Sequence, residues 1–405
     1  MLYTSRKINI ICINIIFTIL LSNCQSSQKN EGENKDDANL IRSVKQSHLD
    51  SLEKQYYNIS TDSTTFLITK KGACIVIHPQ AFINEQGQAI TGNIQIELRE
   101  AQEIKDFVKS RISTTSDGKI LQTAGSYYFD ATQNGKKLKI NTDNQGVCIA
   151  VPALQKDTAM RFFAGDPTKQ GDINWKLDSK KEEKIDIPTP PQKTLDEFGL
   201  TLNEQKLKKQ YEETVAFLKG IEKNYRLEGS KYVFKDSKSV YSESWEVSFI
   251  EKIRQKLKKI EWIKKYLADR EEFNEKKKVK LKEAWNQYNL LNAEWKKQNK
   301  EILEPTFYEY KLNTMGWFNV DKFVREELVT YSGKIVNKQG KKINYARVHL
   351  ISEKERIHLQ TICETGVYQF EYPKNKTFKI LVVRGKETKE VEIKASNTGI
   401  SDIVF

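Results

Sequence analysis

The apolar residues of this chain change their period twice, and that change limits what it can fold into. From about Thr65 to Leu177 they fall in short alternating or continuous runs: TFLIT, ACIVI, NIQIELRE, SYYFDA, KLKIN, GVCIAVP, MRFFAG and INWKL. Turn residues at Asn84 to Gly87, Thr91-Gly92, Asp117-Gly118, Asn134-Gly135, Asp143 to Gly146 and Asp166-Pro167 separate them. Period-two runs at regular spacing predict strands of an antiparallel β-sandwich over 63–180. Ile187-Pro188-Thr189-Pro190-Pro191 then breaks the pattern, because clustered prolines forbid both helix and ladder pairing. Residues 181–194 read as a proline-rich linker.

Over 195–305 the period becomes helical. Leu207, Tyr211, Val215, Leu218, Ile221 and Tyr225 recur at three- and four-residue steps, as do Phe249, Ile253, Leu257, Ile260, Ile263 and Leu267. Leu281, Trp285, Tyr288, Leu291 and Trp295 form a third stripe, and no glycine or proline interrupts Ser248 to Pro305. One helix of roughly 80 Å is allowed over 243–304. A hairpin or kinked pair turning near Asp269 to Lys278 is favoured, because a lone helix must bury its stripe somewhere. Residues 306–326, which include Gly316-Trp317-Phe318-Asn319-Val320-Asp321, read as a connector: Trp317 and Phe323 buried, Asn319 and Asp321 capping backbone N–H groups. Over 327–405 strand alternation returns in SGKIVN, YARVHLIS, HLQTI, GVYQFEY, FKILVV and KEVEIKA. The expected fold is therefore multidomain and mainly β with an α-helical middle: an antiparallel β-sandwich, a long helical hairpin or coiled-coil-like segment, and a second, Ig-like or transthyretin-like β-sandwich.

The first residues carry an export pattern. Arg6 and Lys7 are followed by an apolar run from Ile8 to Leu21, too short for a comfortable membrane span of roughly 20 residues. It ends in Leu21-Ser22-Asn23-Cys24, which resembles the lipobox cut by lipoprotein signal peptidase. The resemblance implies a signal peptide over 1–23, cleavage directed by Leu21, Ser22 and Asn23, and lipid on Cys24. Gln25 to Asp37 hold no hydrophobic residue, so 24–62 reads as the lipidated cysteine and its solvated tether. The implied place is the outer membrane, lipid-anchored, on its periplasmic or surface face.

Two further resemblances follow. The run GACIVIHPQAFINEQGQAITGNIQIELREAQEI is similar to the opening of a sandwich found in many Bacteroidetes envelope proteins, related to the domain of ankyrins, netrin receptors and zonula occludens proteins. Gly72, Ile75 to Ile77, Pro79, Ala81-Phe82, Gly87, Ile90-Thr91-Gly92 and Ile94 to Leu98 carry it, with Thr123 to Tyr127 and Ile173-Asn174-Trp175 later. His78 stands where that pattern has an aliphatic residue. The family's eukaryotic members are interaction modules. Self-cleavage, known in some, needs a His-Phe-Ser site that is absent here. Over 327–405 the order Ser-Gly-Lys-Ile-Val, Ala-Arg-Val-His-Leu, Thr-Gly-Val-Tyr-Gln-Phe resembles the carboxypeptidase regulatory-like sandwich, a spacer or binding module without catalytic zinc.

No nucleophile elbow, H-E-x-x-H, P-loop or dinucleotide fingerprint occurs, and the chain has only four histidines. No catalytic residue, cofactor or metal site is expected, and the protein is read as non-enzymatic. Beyond Cys24 the mature cysteines are Cys74, Cys148 and Cys363, an odd set without C-x-x-C spacing. Cys74 and Cys148 read as buried thiols, with a disulfide between them the alternative. A net charge of +13 attracts polyanions without selecting one. Lys258, Lys259, Trp262, Lys264, Lys265, Trp285 and Trp295 are the candidate ligand-binding set for an acidic glycan; interleaved glutamates favour a solvated helix face over that role, and no specific nucleic acid is expected. The expected partners are the membrane, through the lipid anchor, and an envelope protein or polyanionic glycan. The expected role is a tethered binding module, or alternatively an architectural subunit of an envelope secretion or motility complex.

Overall fold

The computed structural model describes residues 48–291 and 304–405, apart from 144–145, 169–170, 179–181, 188, 191, 237–243 and 394–401. Leu21, Ser22, Asn23, Cys24 and Trp295 lie outside the described residues. The chain is mainly β, with a helical middle. Its first tract forms β1 (Gln55–Ser60), β2 (Thr65–Ile68), β3 (Cys74–Ile77), β4 (Asn93–Ala101), β5 (Lys119–Gln133), β6 (Val147–Pro152), β7 (Arg161–Pro167) and β8 (Ile173–Leu177). A short helix, α1 (Ile104–Ser110), follows β4. Glu103 and Asp106 form a reciprocal capping box at its start.

Two strands from beyond the helical tract complete this sandwich: β12 (Phe307–Leu312) and β13 (Gly316–Phe323). The larger sheet runs β1-β4-β5-β13-β7-β8, and the smaller one β12-β6-β3-β2. The expected connector at 306–326 is thus two strands, with β13 central between β5 and β7. Phe318 and Val320 face the inter-sheet core beside Ile96, Phe129 and Ile149. Trp317 enters a second core on the sheet's other face with Phe107, Phe163 and Trp175, and Phe323 packs against that core while only partly buried. Asn319 and Asp321 do not cap a turn. Both are buried in the strand, where the Asn319 amide donates to Asp321 Oδ2 at 2.7 Å. Two polar residues look like turn signals in the sequence, yet each meets its partner within the sheet. The tether expected to reach residue 62 also ends early, since β1 pairs with β4 from Gln55 to Ser60.

The helical tract is therefore inserted between strands of one sandwich. After α2 (Gln192–Glu197), α3 (Glu204–Asn224) is capped by the Asn203 side chain, which accepts from Lys206 N at 2.9 Å. A small sheet of β9 (Tyr225–Glu228), β10 (Lys231–Phe234) and β11 (Ser244–Glu246) leads into α4 (Val247–Leu291). The hairpin expected near Asp269 to Lys278 is absent, because α4 runs unbroken through it. Its stripe finds two partners in succession. Ile260 and Ile263 pack with Leu195, Leu200 and Leu207, and Ile250 packs with Leu218 and Ile221 of α3. Phe273, Ala284 and Trp285 then pack on Cys74, Val76 and Cys148 of the smaller sheet.

Close fixings hold this second half of α4. Lys277 Nζ reaches Glu309 Oε2 at 2.8 Å and Ile185 O at 2.6 Å, and Gln287 Nε2 donates to Lys70 O at 2.8 Å. Gly72, at φ +88°, lies so close that a Cβ there would sit 2.6 Å from Ala284 O. Cys74 and Cys148 are not joined by a disulfide, and lie two register positions apart, Cys74 pairing with Ala150 and Cys148 with Val76.

The last tract forms β14 (Leu328–Val336), β15 (Ala346–Ser352), β16 (Ile357–Cys363), β17 (Val367–Pro373), β18 (Phe378–Arg384), β19 (Glu387–Ile393) and β20 (Ile403–Val404). Sheets β17-β14-β20 and β16-β15-β18-β19 enclose Ile335, Val348, Leu350, Tyr372 and Ile380. The β15–β16 hairpin is keyed into the first sandwich. Arg356 donates to Thr123 O at 2.6 Å, Gln102 O at 2.7 Å and Ala124 O at 3.2 Å. Thr114 N donates to His358 O at 2.8 Å, and Ile120 joins the core of this C-terminal sandwich.

Candidate functional site

At the end of β3 the chain turns away from the sheet at His78-Pro79, because proline cannot extend the ladder. Gln80 adopts φ +58°, and Ala81 N donates to His78 O at 3.2 Å to close the turn. This turn sets the His78 ring 5.5 Å from that of Phe273 on α4, which is in turn 5.6 Å from Phe66 of β2. Between the sandwich and α4 lies a groove of about 760 Å³. Ser63, Thr64 and Gln80 line its sandwich side, and Asp269, Glu272 and Lys276 its helix side. Phe66, Phe273, Pro79 and Ile187 supply its apolar surface. The volume falls within the roughly 300–1,000 Å³ of small-molecule sites.

His78 is 4% exposed, and its Nε2 has no hydrogen-bond partner. Burial, helped by the Lys311 charge, pushes the imidazole down to about 4, so it is neutral at pH 7. Lys276 is paired with Glu272 one turn before it. Asp269 is exposed and makes no ion pair among the described residues, so the lining carries one net negative charge. Behind the groove, burial raises the Cys74 and Cys148 thiols to about 12, which leaves them protonated and poor nucleophiles. The arrangement offers both donors and acceptors above an apolar floor. It can hold a ligand.

The candidate set on α4 is not brought together. Lys258, Trp262, Lys264 and Lys265 are exposed and Lys259 half-buried near the α3 side, but Trp285 lies roughly 35 Å further along the helix. Trp285 is 5% exposed and packs in the core with Tyr288 at 5.7 Å and Phe307 at 6.0 Å. Trp285 is thus a core residue, corrected from the candidate ligand set. Lys259 Nζ lies 5.5 Å from the Trp262 ring, and Lys264 Nζ 4.2 Å from that of Tyr211. These stacked ammonium groups snorkel over aromatic surface of their own arm.

Two other polar clusters are structural. His349 Nδ1 lies 2.9 Å from His358 Nε2, and His358 Nδ1 lies 2.6 Å from Ile112 O. A carbonyl can only accept, so His358 Nδ1 carries the proton, its Nε2 accepts, and His349 Nδ1 donates. Both rings are neutral links in one chain, His358 held down to about 4 chiefly by burial. Among the described residues no group of three or more His, Cys, Asp or Glu is placed to hold a metal. The second cluster is Asn319-Asp321, where burial raises the Asp321 carboxyl well above its usual range.

Sequence reasoning did not find the groove. Its walls, Ser63 to Gln80 and Asp269 to Lys276, are separated by about two hundred residues, so no local spacing marks it. The one signal was His78, an odd residue at an otherwise aliphatic position.

No helix among the described residues is long and apolar enough to cross a membrane. No family model matches the chain, and neither the curated proteins nor the solved structures contain a match.

Proposed function

We propose that this chain is a lipoprotein of a Bacteroidetes-type envelope, anchored to the outer membrane through Cys24, which binds a ligand without transforming it. The observation that carries the binding role is the groove, where hydroxyl, amide and carboxylate groups stand over an apolar floor beside the buried His78. The Leu21-Ser22-Asn23-Cys24 run supports the anchor. More than one acyl chain makes such anchoring stable, at about 0.8 kcal/mol per buried methylene. The two sandwiches, taken as ankyrin/netrin-receptor-like and carboxypeptidase regulatory-like, fit a non-enzymatic interaction module.

One observation favours a second reading, an architectural subunit of a secretion or motility complex. The arm of α3 and α4 bears Leu227 (59% exposed) and Phe249 (41% exposed) near its small sheet, with Trp245 stacked 5.3 Å from Phe249. Exposed apolar residues on a projecting element suit docking to another subunit.

Affinity purification of the tagged protein from its native membranes, beside a Cys24→Ala control, separates these. Recovery with soluble ligand supports the binding module. Stable membrane subunits that survive washing support the architectural role. If Cys24→Ala changes neither lipid labelling nor membrane fractionation, the anchor is wrong.

A further inference from the structure

Two histidines close the joint between the sandwiches. Arg347 and His349 of β15, with His358 and Gln360 of β16, lie on the sheet face turned away from the core that Val348, Leu350, Ile357 and Leu359 enter. Residues 111–114 of the first sandwich cover this face. His358 Nδ1 donates to Ile112 O at 2.6 Å, and Gln360 Nε2 to Arg111 O at 2.5 Å. Thr114 N donates to His358 O at 2.8 Å, and His358 N returns a bond to Thr114 Oγ1 at 3.1 Å. Both rings are sealed, His358 at 0% and His349 at 2% exposed. We propose that this pair is an acid-released latch: a proton on either ring parts the β15–β16 hairpin from 111–114, and the C-terminal sandwich swings on the link 324–327 while each sandwich keeps its own core.

The directions of the hydrogen bonds supply the reason. His358 Nε2 accepts from His349 Nδ1 at 2.9 Å. A proton added there sets donor against donor in a site closed to water. A proton on His349 instead spares the bond but buries a cation beside Arg347 and Arg111. Asp172 is the counter-charge that faces His358, yet its two oxygens already accept from Ser113 N at 2.9 Å and Ser113 Oγ at 2.5 Å. His48, ahead of β1, meets the same two arginines. Further along the face, Lys105 and Lys109 of α1 meet Glu353, Lys379 and Glu390 in a shallow cleft beside Ile351. Burial above all holds His358 down to about 4 and His349 well below the ordinary 6.5. The opened hairpin therefore binds protons that the closed one refuses, and each histidine favours opening by up to about tenfold per pH unit below its ordinary value. Release precedes unfolding because the histidines belong to neither core, one built on Ile96, Phe129 and Ile149 and the other on Val348, Tyr372 and Ile380.

Hydrogen exchange of the full chain between about pH 7 and pH 5, corrected for the intrinsic rate of the peptide group, tests the latch. The Thr114 and Thr123 N–H groups donate across the joint, to His358 O and Arg356 O. Their protection should fall about tenfold or more at the lower pH, while amides of β4 and β17 inside the two sandwiches hold theirs. The double variant His349→Asn, His358→Asn loses both titrating rings and keeps a side-chain donor for Ile112 O, so its cross-joint protection should not change over this range. If the double variant does not fold, His349→Asn alone should lessen the pH dependence and leave the His358 share. Unchanged cross-joint protection in the wild type overturns the latch. So does an equal loss in β4 and β17, which would be global unfolding. An undiminished pH dependence in the double variant also overturns it, by assigning the effect to His48 or His78.

Discussion

Gly72 sits where the second half of α4 presses on the sandwich, and replacing it with alanine tests whether that contact holds the groove together. Its φ of +88° is unfavourable for any residue with a Cβ, at about 1–2 kcal/mol. The added methyl would also lie 2.6 Å from Ala284 O, 2.7 Å from Tyr288 N and 2.7 Å from Tyr288 Cβ. Two of these are backbone atoms of a helix and cannot swing aside, so α4 must shift; overpacking of this kind costs about 1–3 kcal/mol. The sum is about 2–5 kcal/mol. Gly87 provides the control, because its φ is +80° but nothing lies within 4 Å of its virtual Cβ. Gly87→Ala should cost only the backbone term, about 1–2 kcal/mol. Chemical denaturation of the two variants isolates the contact by difference. Hydrogen exchange should locate it, with amides from Ala284 to Tyr288 exchanging faster only in Gly72→Ala. Equal destabilisation within about 0.5 kcal/mol, with unchanged exchange in α4, would refute the reasoning.

Other outcomes follow from the same packing. Trp285→Ala should destabilise by about 3–5 kcal/mol and Trp262→Ala, 43% exposed, by no more than about 0.5 kcal/mol; thermal melts that rank them the other way would restore Trp285 to the surface. His358 is held at about 4 against an ordinary 6.5, so between these values the unfolded chain binds a proton that the folded chain refuses. Stability is therefore whole above pH 6.5 and falls as pH drops toward 4, by about 1.4 kcal/mol per unit for such a group. His349 and His78 shift the same way. His358→Gln should make the pH slope of stability shallower by about one proton, and an unchanged slope would contradict the burial argument. Arg356→Met removes the three carbonyl contacts that key the second sandwich to the first, at about 2–4 kcal/mol. Calorimetry should then resolve two transitions, whereas a single unshifted transition would show that Arg356 does not couple them.

Period alone was enough to read many of the elements, though not β1, the small sheet of β9 to β11, or β12 and β13. The runs ACIVI, GVCIAVP, INWKL and YARVHLIS are strands, and the Leu207 and Ile260 stripes are helices, because burial on one side imposes its repeat on the residues locally. Which elements meet was not legible, because that depends on contacts with no local spacing. FYEYKL and GWFNVDKF lie beyond a helical insertion yet complete the first sandwich, and Asn319 and Asp321 sit buried inside a strand, where the Asn319 amide donates to Asp321. The same holds for α4. Its sequence allowed a bend or a straight rod, and the sheet of Cys74, Val76 and Cys148 chose the rod by offering its second stripe a surface to bury. The groove is a product of that choice. Ser63 to Gln80 and Asp269 to Lys276 acquire a shared chemistry only once α4 crosses the sandwich at Gly72, since hydrogen-bonding groups so distant along the chain are brought together by packing and by nothing in their own sequence.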